Sequence, residues 1–202
     1  MTLENILVAN RGEIAVRIMR AAAELEIKST GVHAQDDALS LHTKKCDLSL
    51  ALNGRGPAAY LDGAAIIAAA LEAGCDAVHP GYGFLSENAG FARACQKAGL
   101  TFIGPQPSVL ELFGDKAAAR QLAEKCNVPL LPGINHAVDL AEARGFFEAL
   151  DAGDGDGDGD AMVIKAIHGG GGRGMRIVAS LEELDDAYER CQSEARLAFG
   201  NG

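Results

Sequence analysis

The sequence predicts an α/β chain: a doubly wound parallel sheet followed by the incomplete beginning of a second module. Three observations carry that reading. Short strand-like runs at 6–9, 30–33, 48–52, 76–79 and 101–103, most of them largely apolar, are separated by turns or by helix-period segments, the pattern of parallel strands buried on both faces. A break near Gly104-Pro105 and a helix N-cap signal at Asp115 divide the chain, so domains of residues 1–114 and 115–202 are expected. Beyond the break, a strand ending in Lys165 runs into four consecutive glycines, Gly169, Gly170, Gly171 and Gly172, before a second apolar stretch resumes at Met175.

Taken in order, residues 6–9 read as a buried strand and 13–25 as a helix with Ile14, Ile18, Ala21 and Leu25 on one face. Strand 30–33 ends in the turn residues Gln35, Asp36 and Asp37, and strand 48–52 in the turn 53–57. An Ala/Ile-rich helix at 63–73 faces Ile66, Ile67, Ala70 and Leu71 inward and stops at Gly74. Strand 76–79, a helix at 87–98 closed by Gly99, and strand 101–103 complete the first part. Ligands of such sheets sit beyond the carboxyl ends of the strands, which puts residues 10–13 and 79–88 on the functional rim. In the second part, Asp115 caps a helix from Lys116 to about Cys126, and Pro129 and Pro132-Gly133 end that segment. A helix near 140–150 leads into the acidic run 151–160 and the hairpin. The last helix, near 181–198, takes Ser180 as N-cap with Glu183 completing a capping box. A hairpin with flanking helices is a thin core, so the second module is expected to be truncated.

The segment from Lys165 to Gly174 is the strongest chemical signal. Glycine costs backbone entropy, and a run of it weakens any regular element. What it permits is close approach of backbone N–H groups to a ligand rich in acceptor oxygens, for which phosphate is the usual candidate. Lys165 supplies a point charge for the same oxygens, and Arg173 stands among the glycines. A tight hairpin turn needs one or two glycines, so a merely flexible turn accounts poorly for four. Neither standard nucleotide fingerprint is present. The lysine precedes the glycines and no Ser or Thr follows, while the first strand leads into Asn10-Arg11-Gly12-Glu13 rather than GxGxxG. ATP is the expected ligand.

Composition excludes several other classes. With 28 acidic against 18 basic residues, a net charge of −10 and no Lys/Arg cluster, the chain lacks the positive surface that nucleic acid or anionic membranes require. No apolar run is long enough to span a bilayer, and the first residues carry no signal- or transit-peptide pattern. Five scattered cysteines at 46, 75, 95, 126 and 191, without metal-ligand spacing, suit a reducing compartment, and a cytoplasmic protein is expected. Cys75, Cys95 and Cys126 read as small buried hydrophobes. His79, which ends a strand before Pro80, reads as structural.

Six stretches, in this order and over nearly the whole chain, resemble the N-terminal part of biotin carboxylase, the ATP-grasp component of biotin-dependent carboxylases. They are Ile6-Leu-Val-Ala-Asn-Arg-Gly-Glu-Ile-Ala15, Val78-His-Pro-Gly-Tyr-Gly-Phe-Leu-Ser-Glu-Asn88, Phe102-Ile-Gly-Pro105, Gly114-Asp-Lys116, Pro132-Gly133 and the Lys165–Arg176 segment. The resemblance implies a Rossmann-like pre-ATP-grasp domain at 1–114 and the beginning of an ATP-grasp domain at 115–202. It implies an ATP-dependent ligase that carboxylates biotin with bicarbonate through carboxyphosphate, using magnesium. Lys116 and Lys165 would contact the ATP phosphates, Gly169–Gly174 with Arg173 would form a flap over them, and Tyr82 and Gly83 would lie near biotin. Biotin on a carrier protein or domain, a carboxyltransferase unit and homo-oligomerisation are the partners implied for the complete enzyme. The family's magnesium carboxylates, its bicarbonate- and biotin-binding arginines and its catalytic glutamate fall outside these 202 residues, so the chain alone is expected to be inactive. Other ATP-grasp ligases, such as carbamoyl-phosphate synthase, share the lysine-plus-glycine hairpin. The stretches around Asn10-Arg11-Gly12 and Tyr82-Gly83 argue for biotin carboxylase.

Two departures from the family pattern stand out. Ala161 replaces the usual proline before the lysine strand, and an Asp-Gly repeat fills 151–160. Asp154, Asp156, Asp158 and Gly159 start like a calcium loop, but its twelfth position, which should be a bidentate glutamate, is Lys165. A solvated connection is the preferred reading.

Overall fold

The computed structural model describes residues 2–151, 161–166 and 174–199. The Asp-Gly repeat beyond Asp151 and the segment from 167 to Arg173 lie outside the described residues. The chain packs as two compact units, Met1–Gly114 and Asp115–Gly202.

In the first unit, β1 (Asn5–Val8), α1 (Gly12–Glu24), β2 (Lys28–His33), β3 (Leu48–Ala51), α2 (Gly63–Glu72), β4 (Ala77–His79), α3 (Ala89–Lys97), β5 (Thr101–Phe102) and α4 (Pro107–Gly114) follow one another. The five strands form one parallel sheet in the order β3-β2-β1-β4-β5. Alternate residues of β1 supply opposite cores. Ile6 and Val8 pack with Ala15, Ile18, Met19 and Ala22 of α1. Leu7 packs with Ile66 and Ala70 of α2 and Phe91 and Cys95 of α3. Burying a side chain of leucine or isoleucine size contributes roughly 1.5–3 kcal/mol, and β1 buries Ile6, Leu7 and Val8. The chain runs outward from β1 in both directions, and the strand order reverses between β1 and β4. That switch point is where open α/β sheets leave a crevice.

Two helix faces are rotated from the sequence expectation. α1 buries Ala15, Val16, Ile18, Met19 and Ala22, whereas Ala21 is exposed and Leu25, already the C-cap, is 70% exposed. The phase follows from Gly31 of β2. A Cβ there would lie 2.9 Å from both Met19 Cε and Cys46 Sγ, so Met19 fills the space above a strand position with no side chain. In α2, Ile66 and Ala70 are buried but Leu71 is 53% exposed, because a helix apolar on most sides carries no periodicity to set its phase. Helix α3 begins two residues later than expected, where the Asn88 side chain accepts the Phe91 N–H at 2.8 Å. Helix α4 falls where the prolines suggested only a break; Pro107 opens it, as proline can at a first helical position.

The second unit comprises α5 (Lys116–Lys125), α6 (Leu140–Asp151), β6 (Met162–Lys165), β7 (Met175–Val178) and α7 (Leu181–Phe199). Asp115 caps α5 by accepting from Ala117 and Ala118 N–H at 2.9 and 3.1 Å. Cys126, expected to be buried, is exposed at the C-cap of α5. The antiparallel pair β6–β7 is covered on one face, where Met162, Ile164 and Val178 pack with Ala143 and Phe147 of α6 and Leu184 and Ala187 of α7. Glu183 reaches back to the Ala179 N–H at 3.4 Å and donates its own N–H to Ser180 O at 3.2 Å. The reciprocal arm of the box thus lands one residue before Ser180.

Candidate functional site

The carboxyl ends of β1, β2 and β4 build the first site. Asn10, 2% exposed, donates from Nδ2 to Pro80 O at 2.7 Å and Tyr82 O at 2.8 Å and accepts the Arg11 N–H at 2.9 Å. These bonds tie the loop after β4 to the end of β1. Gly81 has φ +66°, and a Cβ there would come within 2.6 Å of Asn10 Nδ2, so only glycine admits this approach. Gly83 also has positive φ, +65°. Tyr82 is 61% exposed, and its hydroxyl donates to Glu13 Oε1 at 2.7 Å, which raises the phenol pKa above its usual value. Phe84 packs on Tyr60 with ring centroids 5.3 Å apart. His79 is half-buried, and its Nδ1 accepts the Gly81 N–H at 3.0 Å. Burial lowers its pKa, as a neutral acceptor requires.

Beneath this rim lies a charged network that the sequence reading did not isolate. Arg11 forks onto Asp37, Nε to Oδ2 and Nη2 to Oδ1, both at 2.6 Å. Tyr60 OH donates to Asp37 Oδ2 at 2.8 Å and accepts the Ala34 N–H at 3.2 Å. The Arg11 guanidinium lies 5.8 Å from the Tyr60 ring centroid. The hydrogen bonds from Arg11, with that from Tyr60, hold the Asp37 carboxyl at about 2. Burial first, and then the neighbouring carboxylate, push Tyr60 up to about 12. Asp37 appeared in the sequence as a turn residue; its position just after β2 was the only available signal.

The second site is the end of the β6–β7 pair where Lys165 meets Met175. The register pairs Val163 with Ile177 and Lys165 with Met175, and cross-strand partners share a face. Val163, Met175 and Ile177 are 44, 42 and 70% exposed, and Lys165 is exposed beside them. The exposed face is therefore apolar along its length, with a lysine at the end next to the connecting segment. Gly174 is buried with φ +68°; its carbonyl accepts the Ala166 N–H at 2.8 Å. Lys116, exposed, is the first residue of α5.

The structure thus sets Tyr82 and Gly83 on one rim with Asn10 and Glu13, and pairs Lys165 with Met175 beside the Ala166–Gly174 bond of one hairpin. Gly169, Gly170, Gly171, Gly172 and Arg173 lie outside the described residues. The apolar companions of Lys165 were missed, although the parity of Val163 and Lys165 would have put them on one face. Among the described residues no group of three or more His, Cys, Asp or Glu is placed to hold a metal ion. No helix of the described residues is long and apolar enough to cross a membrane.

Residues 2–110 match the family model of the biotin carboxylase N-terminal domain, and residues 115–202 match that of the carbamoyl-phosphate synthase L chain ATP-binding domain. The chain belongs to the biotin carboxylase family. Among its relatives are pyruvate carboxylases, that of Aspergillus terreus at 47% identity over 100% of this chain and that of Bacillus subtilis at 48% over 99%. The chain spans 17% of the length of each. The solved biotin carboxylase of Campylobacter jejuni, a complex with β-γ-ATP, is similar over 99% of this chain and 44% of its own, with 39% identity and a TM-score of 0.91. The biotin carboxylase domain dimer of the Hydrogenobacter thermophilus 2-oxoglutarate carboxylase, solved with MgADP, ADP and bicarbonate, is similar over 100% and 43%, with 39% identity and a TM-score of 0.90.

Proposed function

We propose that this chain is the nucleotide-gripping portion of a biotin-dependent carboxylase, which carboxylates biotin with ATP and bicarbonate through carboxyphosphate. Residues 1–114 form the pre-ATP-grasp domain and 115–202 begin the ATP-grasp domain. Lys116 and Lys165 hold the ATP phosphates, together with the backbone of Gly169, Gly170, Gly171, Gly172 and Gly174 and the Arg173 side chain. Tyr82 and Gly83 lie beside biotin, which is carried on a protein or domain and served by a carboxyltransferase unit. The complete enzyme is a homo-oligomer. The described residues offer no carboxylate set for magnesium, so no step through the metal is assigned to them. The five cysteines, all free thiols, support a reducing, cytoplasmic setting.

The observation that carries this reading is the uncovered hairpin face. Val163, Met175 and Ile177 offer an apolar surface on which a purine base can rest, and Lys165 stands at the glycine-segment end of it for the phosphates. A base and a polyanion joined in one ligand match that combination. Lys165→Gln keeps the length and polarity but removes the charge. In the intact protein it should weaken ATP binding by about ten- to a hundredfold, with circular dichroism unchanged. An affinity within about twofold of the original, in a well-folded variant, would exclude the phosphate assignment.

A further inference from the structure

We infer that Glu194 of α7 is a positioning residue for Lys165, a role that rests on the reading of the hairpin as a phosphate grip. Its carboxylate serves two groups of β7 and its entry at once. Oε2 accepts the Gly174 N–H at 3.2 Å, and Oε1 pairs with the Arg176 guanidinium. Arg176 is the inward-facing partner of Ile164 in the register, so its pairing with α7 lies on the covered side of the hairpin, away from the ligand face.

The contacts form a continuous chain to Lys165. Gly174 O accepts the Ala166 N–H at 2.8 Å, the last described backbone bond of the hairpin, and Ala166 directly follows Lys165. A Cβ on Gly174 would lie 3.0 Å from Ala166 Cβ and 3.7 Å from Cys191 O, so the two strands approach closely here while α7 lies at ordinary contact distance. The ion pair with Arg176, about two-fifths exposed on each side, would by itself stabilise little. The buried Gly174 N–H is different, because without an acceptor it loses its solvation with nothing in return. Glu194 thereby fixes where β7 begins, and through the Ala166 bond, where the strand carrying Lys165 ends. It touches no ligand; it acts through Lys165.

The test measures amide hydrogen exchange and equilibrium ADP binding on the intact protein with Glu194→Ala, Glu194→Gln, Lys165→Gln, and Glu194→Ala combined with Lys165→Gln. Glu194→Ala should speed exchange at Gly174 and weaken ADP binding, each by about tenfold. Glu194→Gln keeps an acceptor oxygen and should lose only about threefold in affinity, which also keeps the test open if the alanine variant folds poorly. In the Lys165→Gln background the Glu194 substitution should have no further effect on affinity, because the two act as one unit. Unchanged Gly174 exchange, or fully additive losses in the double variant, overturns this inference. If Lys165→Gln weakens ADP and neither Glu194 variant does, this inference alone fails. If Lys165→Gln itself has no effect, the phosphate-grip reading fails, and this role for Glu194 with it.

Discussion

The sheet of the first unit is covered on both faces, and the hairpin of the second on only one. Where both faces are buried, as for β1 between α1 and the α2–α3 layer, chemistry is confined to the strand ends. The functional candidates there are held by side chains that are themselves buried, Asn10 at 2% and Asp37 at 6% exposure. In the hairpin the candidates stand on the uncovered face, held from behind by α6 and α7. A doubly covered sheet makes a rigid rim and a singly covered one makes a surface. Buried polar side chains therefore hold the strand ends of the first unit, whereas apolar side chains of the second stand exposed on its hairpin.

This contrast can be broken most severely at Asp37. Asp37→Ala leaves the buried Tyr60 hydroxyl without its acceptor and the Arg11 fork without its partner, and should cost about 2–3 kcal/mol of stability, read from urea unfolding followed by circular dichroism. A loss under about 0.5 kcal/mol, the level of a neutral surface change, would mean that the network is not what holds the rim.

The same carboxylate sets a pH window. Its pKa of about 2 in the folded chain lies below the usual carboxylate value, so folding favours the ionised form. The resulting stability is complete above about pH 4 and is lost as pH falls through about 2, a contribution of about 2 kcal/mol. Comparing unfolding at pH 5 and near the acid limit, for the native chain and Asp37→Asn, isolates it; equal acid sensitivity in both would assign the effect to other groups.

The smallest expected effect sharpens the other side of the comparison. Ile177, at 70% exposure, packs against little in the chain, so Ile177→Ser should change stability by less than about 0.5 kcal/mol. ATP affinity should fall by about threefold if the face receives a base. A destabilised variant with unchanged affinity would reverse the assignment, making Ile177 part of the core.

Much of this was legible from residues 1–202 alone. The alternation of short strands with helices identifies a parallel sheet, with β1 continuously apolar, and Asp115 is a cap because its side chain satisfies N–H groups within three residues; the Asn88 cap was passed over. Lys165 and the glycines that follow predict a phosphate loop by local composition, an expectation that falls mostly outside the described residues. These features are short-range, so sequence determines them. Helix phase, by contrast, was settled by tertiary contact: Met19 turns inward because Gly31 leaves space across the sheet, and Leu71 turns outward because Ile66 and Ala70 already fill the layer. Only the fold could bring Asp37 to Arg11 across 26 residues, or Glu194 to Gly174 across 20. No periodicity encodes such pairings, because a side chain's partner across the chain depends on where the backbone returns, and packing alone decides that.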